Sequence, residues 1–127
     1  EHLKQISNDI PQFIKIQYCE EKLKQEEFDK WMVKSDILYC PIQIETEFFS
    51  IKEIYGKTKI SGNIGDAIKY GKLAIFPSTY SSYLEFIIEE KKDLQSQFSE
   101  VKNLTFDFSD YSKETISKKL NLIIENL

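Results

Sequence analysis

The residues best suited to bind an anion lie between positions 56 and 71, a stretch that contains all four glycines of the chain. Its first part, Gly56-Lys57-Thr58-Lys59-Ile60-Ser61-Gly62-Asn63-Ile64-Gly65-Asp66-Ala67, precedes and opens a predicted helix. Glycines let the backbone approach a ligand closely, and the unpaired N–H groups at a helix start favour a negative charge. Lys57 and Lys59 add positive charge. A diphosphate group would therefore fit at this helix start.

For three polar side chains in this stretch, the sequence allows either a structural role or a ligand-binding role. Ser61 or Asn63 would either cap the helix or donate to a phosphate oxygen. Asp66 is either a first-turn carboxylate stabilised by the helix dipole or a ligand of ribose hydroxyl groups. The spacing fits neither the dinucleotide-binding GxGxxG motif nor the phosphate-binding GxxxxGK[ST] motif.

The composition argues against several other kinds of site. The net charge is −4 and the lysines form no basic stripe, so we expect no nucleic-acid partner. His2 is the only histidine, and Cys19 and Cys40 form no CxxC pair, so we expect no metal site and no cofactor. Without a histidine near the core, a free-standing hydrolase is also disfavoured. The cysteine pattern favours a reducing, cytoplasmic setting.

Helices and strands alternate along the chain and would position the glycine stretch. Apolar periodicity predicts helices over residues 3–10, 25–34, 64–70, 83–98 and 113–127, the last capped by Asp110 or Ser112. Short apolar runs predict strands over residues 13–18, 37–42, 73–76 and 104–108. Residues 43–59 are predicted as a long loop with one helical turn at 48–54.

This alternation predicts one α/β domain over residues 1–127, with a parallel sheet, right-handed crossovers and helices on both faces. Ligands of such sheets bind beyond the carboxyl ends of the strands. The segments that follow Ile42 and Phe76 both begin at that edge, so we expect the binding site there.

Two long segments carry a family resemblance in their order and spacing. They are Glu27-Phe28-x-x-Trp31-Met32-x-x-Ser35-Asp36-Ile37-Leu38-Tyr39-Cys40-Pro41-Ile42 and Gly62-x-x-Gly65-Asp66-Ala67-Ile68-x-x-Gly71-Lys72-x-Ala74-Ile75. They resemble the C-terminal, nucleotide-sugar-binding domain of glycosyltransferases with two Rossmann-like domains (GT-B type). Residues 35–41 match that family's "ADIFVLPS" strand and residues 66–75 its "EAMAxGxPVI" unit. Residues 83–87, 104–109 and 113–127 match its "LPEIV" turn, "GLLVP" strand and closing helix, so the resemblance runs from about residue 12 onward.

The resemblance implies an α/β fold of a particular kind: a Rossmann-like, three-layer domain with a mostly parallel sheet that lacks its first strand–helix units. It implies a donor site for a nucleoside diphosphate sugar at Lys57, Lys59, Ser61, Gly62, Asn63, Ile64, Gly65 and Asp66. The diphosphate would lie on the backbone amides of residues 62–66, and the ribose on Asp66. Retaining members have a glutamate eight residues earlier, where this chain has Thr58, and Asp66 itself replaces the usual glutamate.

The chain departs from the family in two further respects. Glu45, Glu47 and Glu53, in the long segment before the helix, are candidates for the role of the missing glutamate, with solvated loop charge as the alternative. The N-terminal acceptor-binding domain has no counterpart here, so we expect a fragment of a longer chain that is inactive alone.

Several partners follow as expectations. The family resemblance implies the nucleotide sugar, the acceptor-binding domain and a peripheral position at the cytoplasmic membrane. An exposed sheet edge would allow a homodimer. The alternative function is a small α/β module that binds protein through a sheet edge or a helix face, with the glycines serving only turns and close packing.

Overall fold

The computed structural model describes residues 15–126, which form helices and two small sheets. The elements are α1 (Gln25–Lys34), β1 (Ile37–Tyr39), β2 (Glu45–Phe48), β3 (Ile51–Ile54), α2 (Gly62–Tyr70), β4 (Leu73–Phe76), β5 (Ile87–Glu89), α3 (Leu94–Val101) and α4 (Lys113–Glu125). A 3₁₀ turn, Ser109–Tyr111, precedes α4. The chain divides within α1 into two compact units, residues 1–31 and 32–127, and both sheets belong to the second.

The first unit contains the start of α1, where the Lys24 carbonyl accepts hydrogen bonds from the N–H groups of Glu27 and Phe28. This confirms the helix predicted over residues 25–34. Residues 15–18 are exposed and irregular, so the strand predicted over 13–18 is wrong for these positions. An apolar run becomes a strand only where a neighbouring strand supplies its hydrogen bonds. Residues 13 and 14 and the helix predicted over residues 3–10 lie outside the described part of the chain.

The main sheet of the second unit has three parallel strands in the order β1-β4-β5. Leu73 lies opposite Ile37, and Ala74 lies opposite Ile87 on the other side. All four residues of β4 are buried, as a continuous apolar run in a central parallel strand should be. The predicted strand 73–76 and the parallel sheet are confirmed. Strand β1 is shorter than predicted and ends before Pro41, which has no N–H to donate to a sheet.

Helix α2 has clear local signals at both ends. The Ser61 hydroxyl caps its start by accepting a hydrogen bond from the Asn63 N–H. Gly71 ends it in the left-handed conformation, at φ 60° and ψ 48°, and its N–H bonds the last carbonyls. Ala67 is fully buried within the core. The helix predicted here and its terminal glycine are therefore confirmed.

A β-hairpin replaces the loop and helical turn predicted over residues 43–59. Strands β2 and β3 pair antiparallel, with Glu45 opposite Ile54 and Phe48 opposite Ile51. The turn residues Phe49 and Ser50 both have positive φ, 48° and 62°. Positive φ at both positions is what a type I′ hairpin turn requires, and Asn-Gly is its usual sequence. Because Phe-Ser gives no such signal, the sequence pattern did not indicate a hairpin.

The helix predicted over residues 83–98 is confirmed only for residues 94–98, which belong to α3, and is wrong for residues 83–93, which contain β5. Ile87 and Ile88 are β-branched and pair beside β4. Asp93 then begins α3, since its carboxylate accepts hydrogen bonds from the Ser96 N–H at 3.1 Å and the Ser96 hydroxyl at 2.7 Å.

Residues 104–108 form no strand, contrary to prediction. The alternating residues Phe106 and Phe108 instead pack with Phe86 and Tyr111 in a ring cluster. The ring centroids of Phe86 and Phe108 are 5.3 Å apart. An alternating apolar pattern can thus be satisfied by aromatic packing as well as by a sheet.

Helix α4 is confirmed, and Ser112 rather than Asp110 caps it, at 3.2 Å from the Thr115 N–H. None of its residues is buried. The core lies around β4 and consists of Cys40, Ala67, Leu73, Ala74, Ile75, Phe76, Phe86 and Val101. The architecture is α/β and compatible with a Rossmann-like fold, but it is small and three layers are not distinct. In the described part of the chain no helix is long and apolar enough to cross a membrane.

Candidate functional site

A cavity of about 630 Å³ opens between the turn after β3, the first turn of α2 and the loop that follows β4. Its walls therefore come from both segments that the sequence placed beyond the carboxyl ends of the strands. The lining residues are Gly56, Lys57, Thr58, Lys59, Ile60, Ile64, Tyr80, Ser81, Ser82, Tyr83 and Leu84. The volume lies in the range of small-molecule sites, and the lining combines two cations, hydroxyl groups and two tyrosine rings.

The turn after β3 is fixed by one backbone carbonyl. The Ile54 oxygen accepts hydrogen bonds from the N–H groups of Lys57, Thr58 and Lys59, at 3.1, 2.9 and 3.2 Å. The Thr58 hydroxyl accepts a hydrogen bond from the Ile54 N–H at 2.8 Å. Thr58, which stands where the family resemblance expects a glutamate, therefore closes the turn.

Gly56 brings this turn against the loop after β4. Its φ is 86°, and a Cβ at this position would lie 2.8 Å from the Ser81 carbonyl oxygen and 3.3 Å from the Tyr80 ring. Only glycine combines this conformation with this approach. The close contact between the two segments forms a wall of the cavity.

The two lysines of the cavity differ in their partners. Lys59 Nζ lies 2.6 Å from Glu53 Oε2 and 5.4 Å from the centre of the Tyr55 ring. The hydrogen bond to Glu53 is the main reason that the pKa of Lys59 is raised, against a smaller opposing effect of desolvation. Lys57 is exposed and forms no ion pair with any residue between 15 and 126.

The start of α2 presents open backbone. No atom lies within 4 Å of the position that a Cβ would take at Gly62 or Gly65, and neither residue has a positive φ. Neither packing nor conformation therefore requires glycine there. The Ser61 side chain is buried and occupied as the cap, which favours its structural role.

Asn63 and Asp66 lie on the side of α2 that adjoins the end of β1. Cys40 follows that strand, is 5% exposed, and donates its N–H to the Ile75 carbonyl at 2.9 Å. Burial raises the pKa of the Cys40 thiol, a hydrogen bond with Asn63 opposes this, and the charge of Asp66 adds to the rise. Asn63 thus bonds the thiol and Asp66 acts on it through its charge, and neither residue lines the cavity.

The eight residues predicted as the site fall into two groups. Lys57, Lys59 and Ile64 line the cavity, whereas Ser61, Gly62, Asn63, Gly65 and Asp66 do not. Residues 80–84 also line the cavity and were not among the predicted site residues. The available signal was the position of this loop after a buried strand that ends at Pro77.

Only one of the three glutamates considered for the missing role contacts the cavity lining. Glu53 is bonded to Lys59, as described above. Glu45 pairs with Lys52 at 3.5 Å, and both side chains are mostly exposed. Since side chains alternate along a strand, Glu45 and Glu47 lie on the opposite face of the hairpin from Glu53.

Within residues 15–126, no three side chains of the metal-ligating types lie close enough together to hold a metal ion. Comparison of the chain with protein-family models, curated proteins and solved structures found no match.

Proposed function

We propose that this chain is the donor-binding part of a GT-B type glycosyltransferase, which binds the diphosphate and ribose of a nucleotide sugar for transfer of the sugar to an acceptor. The observation that supports this most is the open backbone of α2 at Gly62 and Gly65 beside a cavity lined by Lys57 and Lys59. A nucleotide sugar has an anionic centre with a ring at each end. The start of α2 suits the anionic centre, and the cavity has room for one of the rings.

In this proposal each group has a defined role. The helix start at residues 62–66 holds the diphosphate through the N–H groups that the Ser61 cap does not occupy, and Lys57 contributes charge from the cavity wall. Asp66 accepts hydrogen bonds from the ribose hydroxyls. The donor binds without a metal ion, as the composition leads us to expect.

The proposal makes the chain a Rossmann-like domain without its first strand–helix units, as part of a longer, cytoplasmic enzyme. The acceptor-binding domain would close over the cavity and exclude water, and this closure positions the reactants. The described chain alone would bind donor without transferring sugar.

Calorimetry with a panel of uridine, guanosine, adenosine and thymidine diphosphate sugars tests this function. We expect one base to bind, and we expect Asp66→Ala to weaken that binding by about tenfold or more, since each hydrogen bond lost to a charged group is worth about 1.5–3 kcal/mol. Gly65→Ala should also weaken binding while leaving the fold intact, because space for a Cβ exists only without ligand.

Failure of every nucleotide against folded protein would remove the support for a donor site. Unchanged affinity in Asp66→Ala would remove Asp66 from the site. Glu114→Gln, a change on α4 far along the chain from the cavity-lining residues, serves as the control for a change of acidic residue.

The second candidate is the protein-interaction module, and a specific observation favours it. Apolar side chains on α4 are about half exposed, among them Ile116, Leu120 and Ile123. A helix with none of its residues buried is marginal at this length unless something covers it. If the chain is such a module, we expect no nucleotide to bind, and we expect Asp66→Ala to leave protein binding unchanged.

A further inference from the structure

We infer that Glu53 sets the charge selectivity of the cavity, so that it favours a nucleoside diphosphate sugar over the more highly charged nucleoside diphosphate and triphosphate. This inference rests on the proposed function and adds a specificity-determining residue to it.

The geometry holds the Glu53 carboxylate against Lys59, which lines the cavity. Glu53 lies in β3, where it pairs with Thr46, and its Oε2 is 2.6 Å from Lys59 Nζ. Lys59 is itself fixed, because its N–H bonds the Ile54 carbonyl and its carbonyl accepts from the Gly56 N–H. The two side chains are 26% and 39% exposed, so the pair stands at the edge of the cavity and not in bulk solvent.

The pair changes the charge that a ligand meets. Lys57 and Lys59 bring two positive charges to the lining, and Glu53 cancels one of them. The helix start contributes the equivalent of about half a positive charge. A nucleoside diphosphate sugar carries two negative charges, the free diphosphate about three and the triphosphate about four. The cavity with Glu53 therefore matches the sugar-bearing ligand best.

An additional phosphate charge would approach the Glu53 carboxylate without a further cation to balance it. At a separation of several ångströms near a protein surface, such repulsion changes affinity by about fivefold for each added charge at low salt. Glu53 thus disfavours the released diphosphate product and the abundant triphosphates. Discrimination by repulsion of the wrong ligand is a general route to specificity.

Isothermal titration of the wild-type chain and Glu53→Gln at low, fixed ionic strength tests the inference. The probes are a uridine and a guanosine diphosphate sugar, their diphosphates and triphosphates, and inorganic pyrophosphate and tripolyphosphate. In Glu53→Gln we expect the affinity for triphosphate relative to diphosphate sugar, which differ by two charges, to rise about 25-fold. The affinity for tripolyphosphate relative to pyrophosphate, which differ by about one charge, should rise about fivefold. Raising the salt concentration should shrink the difference.

Two further variants separate a local effect from a general change of charge. Glu47→Gln removes the same charge from the opposite face of the hairpin and should leave the affinity ratios at their wild-type values. The charge-conserving double variant Glu53→Gln with Lys59→Gln should restore the wild-type ratio. Circular dichroism of each variant verifies folding.

The outcomes distinguish the inference from the proposed function. If a diphosphate sugar binds but the ratios in Glu53→Gln stay unchanged, or change equally in Glu47→Gln, the inference is wrong and the proposed function stands. If no nucleotide binds but the inorganic ratio shifts as expected, the donor site and the preference for a diphosphate sugar are wrong, and only the effect of Glu53 on anion charge stands. If no anion binds to either the wild-type chain or Glu53→Gln, both are wrong.

Discussion

The four glycines of the chain meet two different requirements at the scale of single residues. Gly56 and Gly71 have positive φ, of 86° and 60°, so their backbone conformation favours glycine. Gly62 and Gly65 have neither a positive φ nor a neighbouring atom near the Cβ position. The sequence showed the cluster of glycines, but only the backbone angles and the surrounding atoms separate structural glycines from those that leave room for a ligand.

Substitution of Gly56 should therefore affect stability, and substitution of Gly62 should not reduce it. We expect Gly56→Ala to lower the free energy of unfolding by about 1–3 kcal/mol, because its φ is unfavourable for alanine and its Cβ would press on the Ser81 carbonyl. Gly62→Ala, in open space within α2, should raise the same free energy by up to about 1 kcal/mol.

Urea denaturation of both variants, followed by circular dichroism, measures these changes. Equal stability of Gly56→Ala and the wild-type chain would mean that the two segments at the cavity wall do not touch. A loss of stability in Gly62→Ala would mean that the helix start is packed and has no room for a ligand.

At the scale of elements, the sequence predicted correctly those elements whose boundaries are set by neighbouring residues. It failed for elements that depend on contacts with residues distant in the chain. The α2–β4 unit was predicted correctly because each of its boundaries is marked by an adjacent residue: Ser61 and Gly71 at the ends of α2, and Pro77 after β4. Strand β5 and the irregular residues 104–108 were not, because the first depends on pairing with β4 and the second on rings distant in sequence. Both segments that form the cavity were expected at this sheet edge, but the individual lining residues of the loop after β4 were not predicted, because their position depends on contacts with a turn distant in sequence.

The turn of the β2–β3 hairpin is the clearest conflict between local preference and structure. Phe49 and Ser50 occupy positive φ angles that neither residue favours, and the Phe49 side chain is 85% exposed. We expect the double substitution Phe49→Asn with Ser50→Gly to raise the free energy of unfolding by about 1 kcal/mol, because Asn-Gly favours the type I′ turn.

Thermal and urea denaturation of this double variant give the comparison with wild type. Ser50→Pro is the matched opposite change, since proline cannot adopt a positive φ, and it should destabilise the hairpin. If the Asn-Gly variant were less stable than wild type, the exposed Phe49 ring would be contributing packing energy.

At the scale of the whole molecule, the core around β4 makes Cys40 a reporter of global opening. Cys40 is 5% exposed, whereas Cys19 is exposed. We expect iodoacetamide to modify Cys19 rapidly in the native protein and Cys40 only when the second unit unfolds. Mass spectrometry after timed labelling distinguishes the two thiols.

The raised pKa of Cys40 also makes stability depend on pH in a defined direction. Below the unfolded thiol pKa of about 8.5 its contribution is fully present, because both states are protonated. As the pH rises through that value toward the higher folded pKa, the unfolded state loses its proton first and stability falls. Cys40→Ala should remove this alkaline loss, and a loss of the same size in the variant would assign it to other groups.

The half-exposed apolar row of α4 finally bears on how the protein responds to temperature. Ile116, Leu120 and Ile123 are 47%, 54% and 60% exposed, so a surface that covers them would release the water around them. Near room temperature this release is an entropic driving force with little enthalpy, and it weakens on cooling. Association through α4 would therefore weaken on cooling and strengthen on warming. Contacts made by the ion pairs of the hairpin would instead weaken as the salt concentration rises.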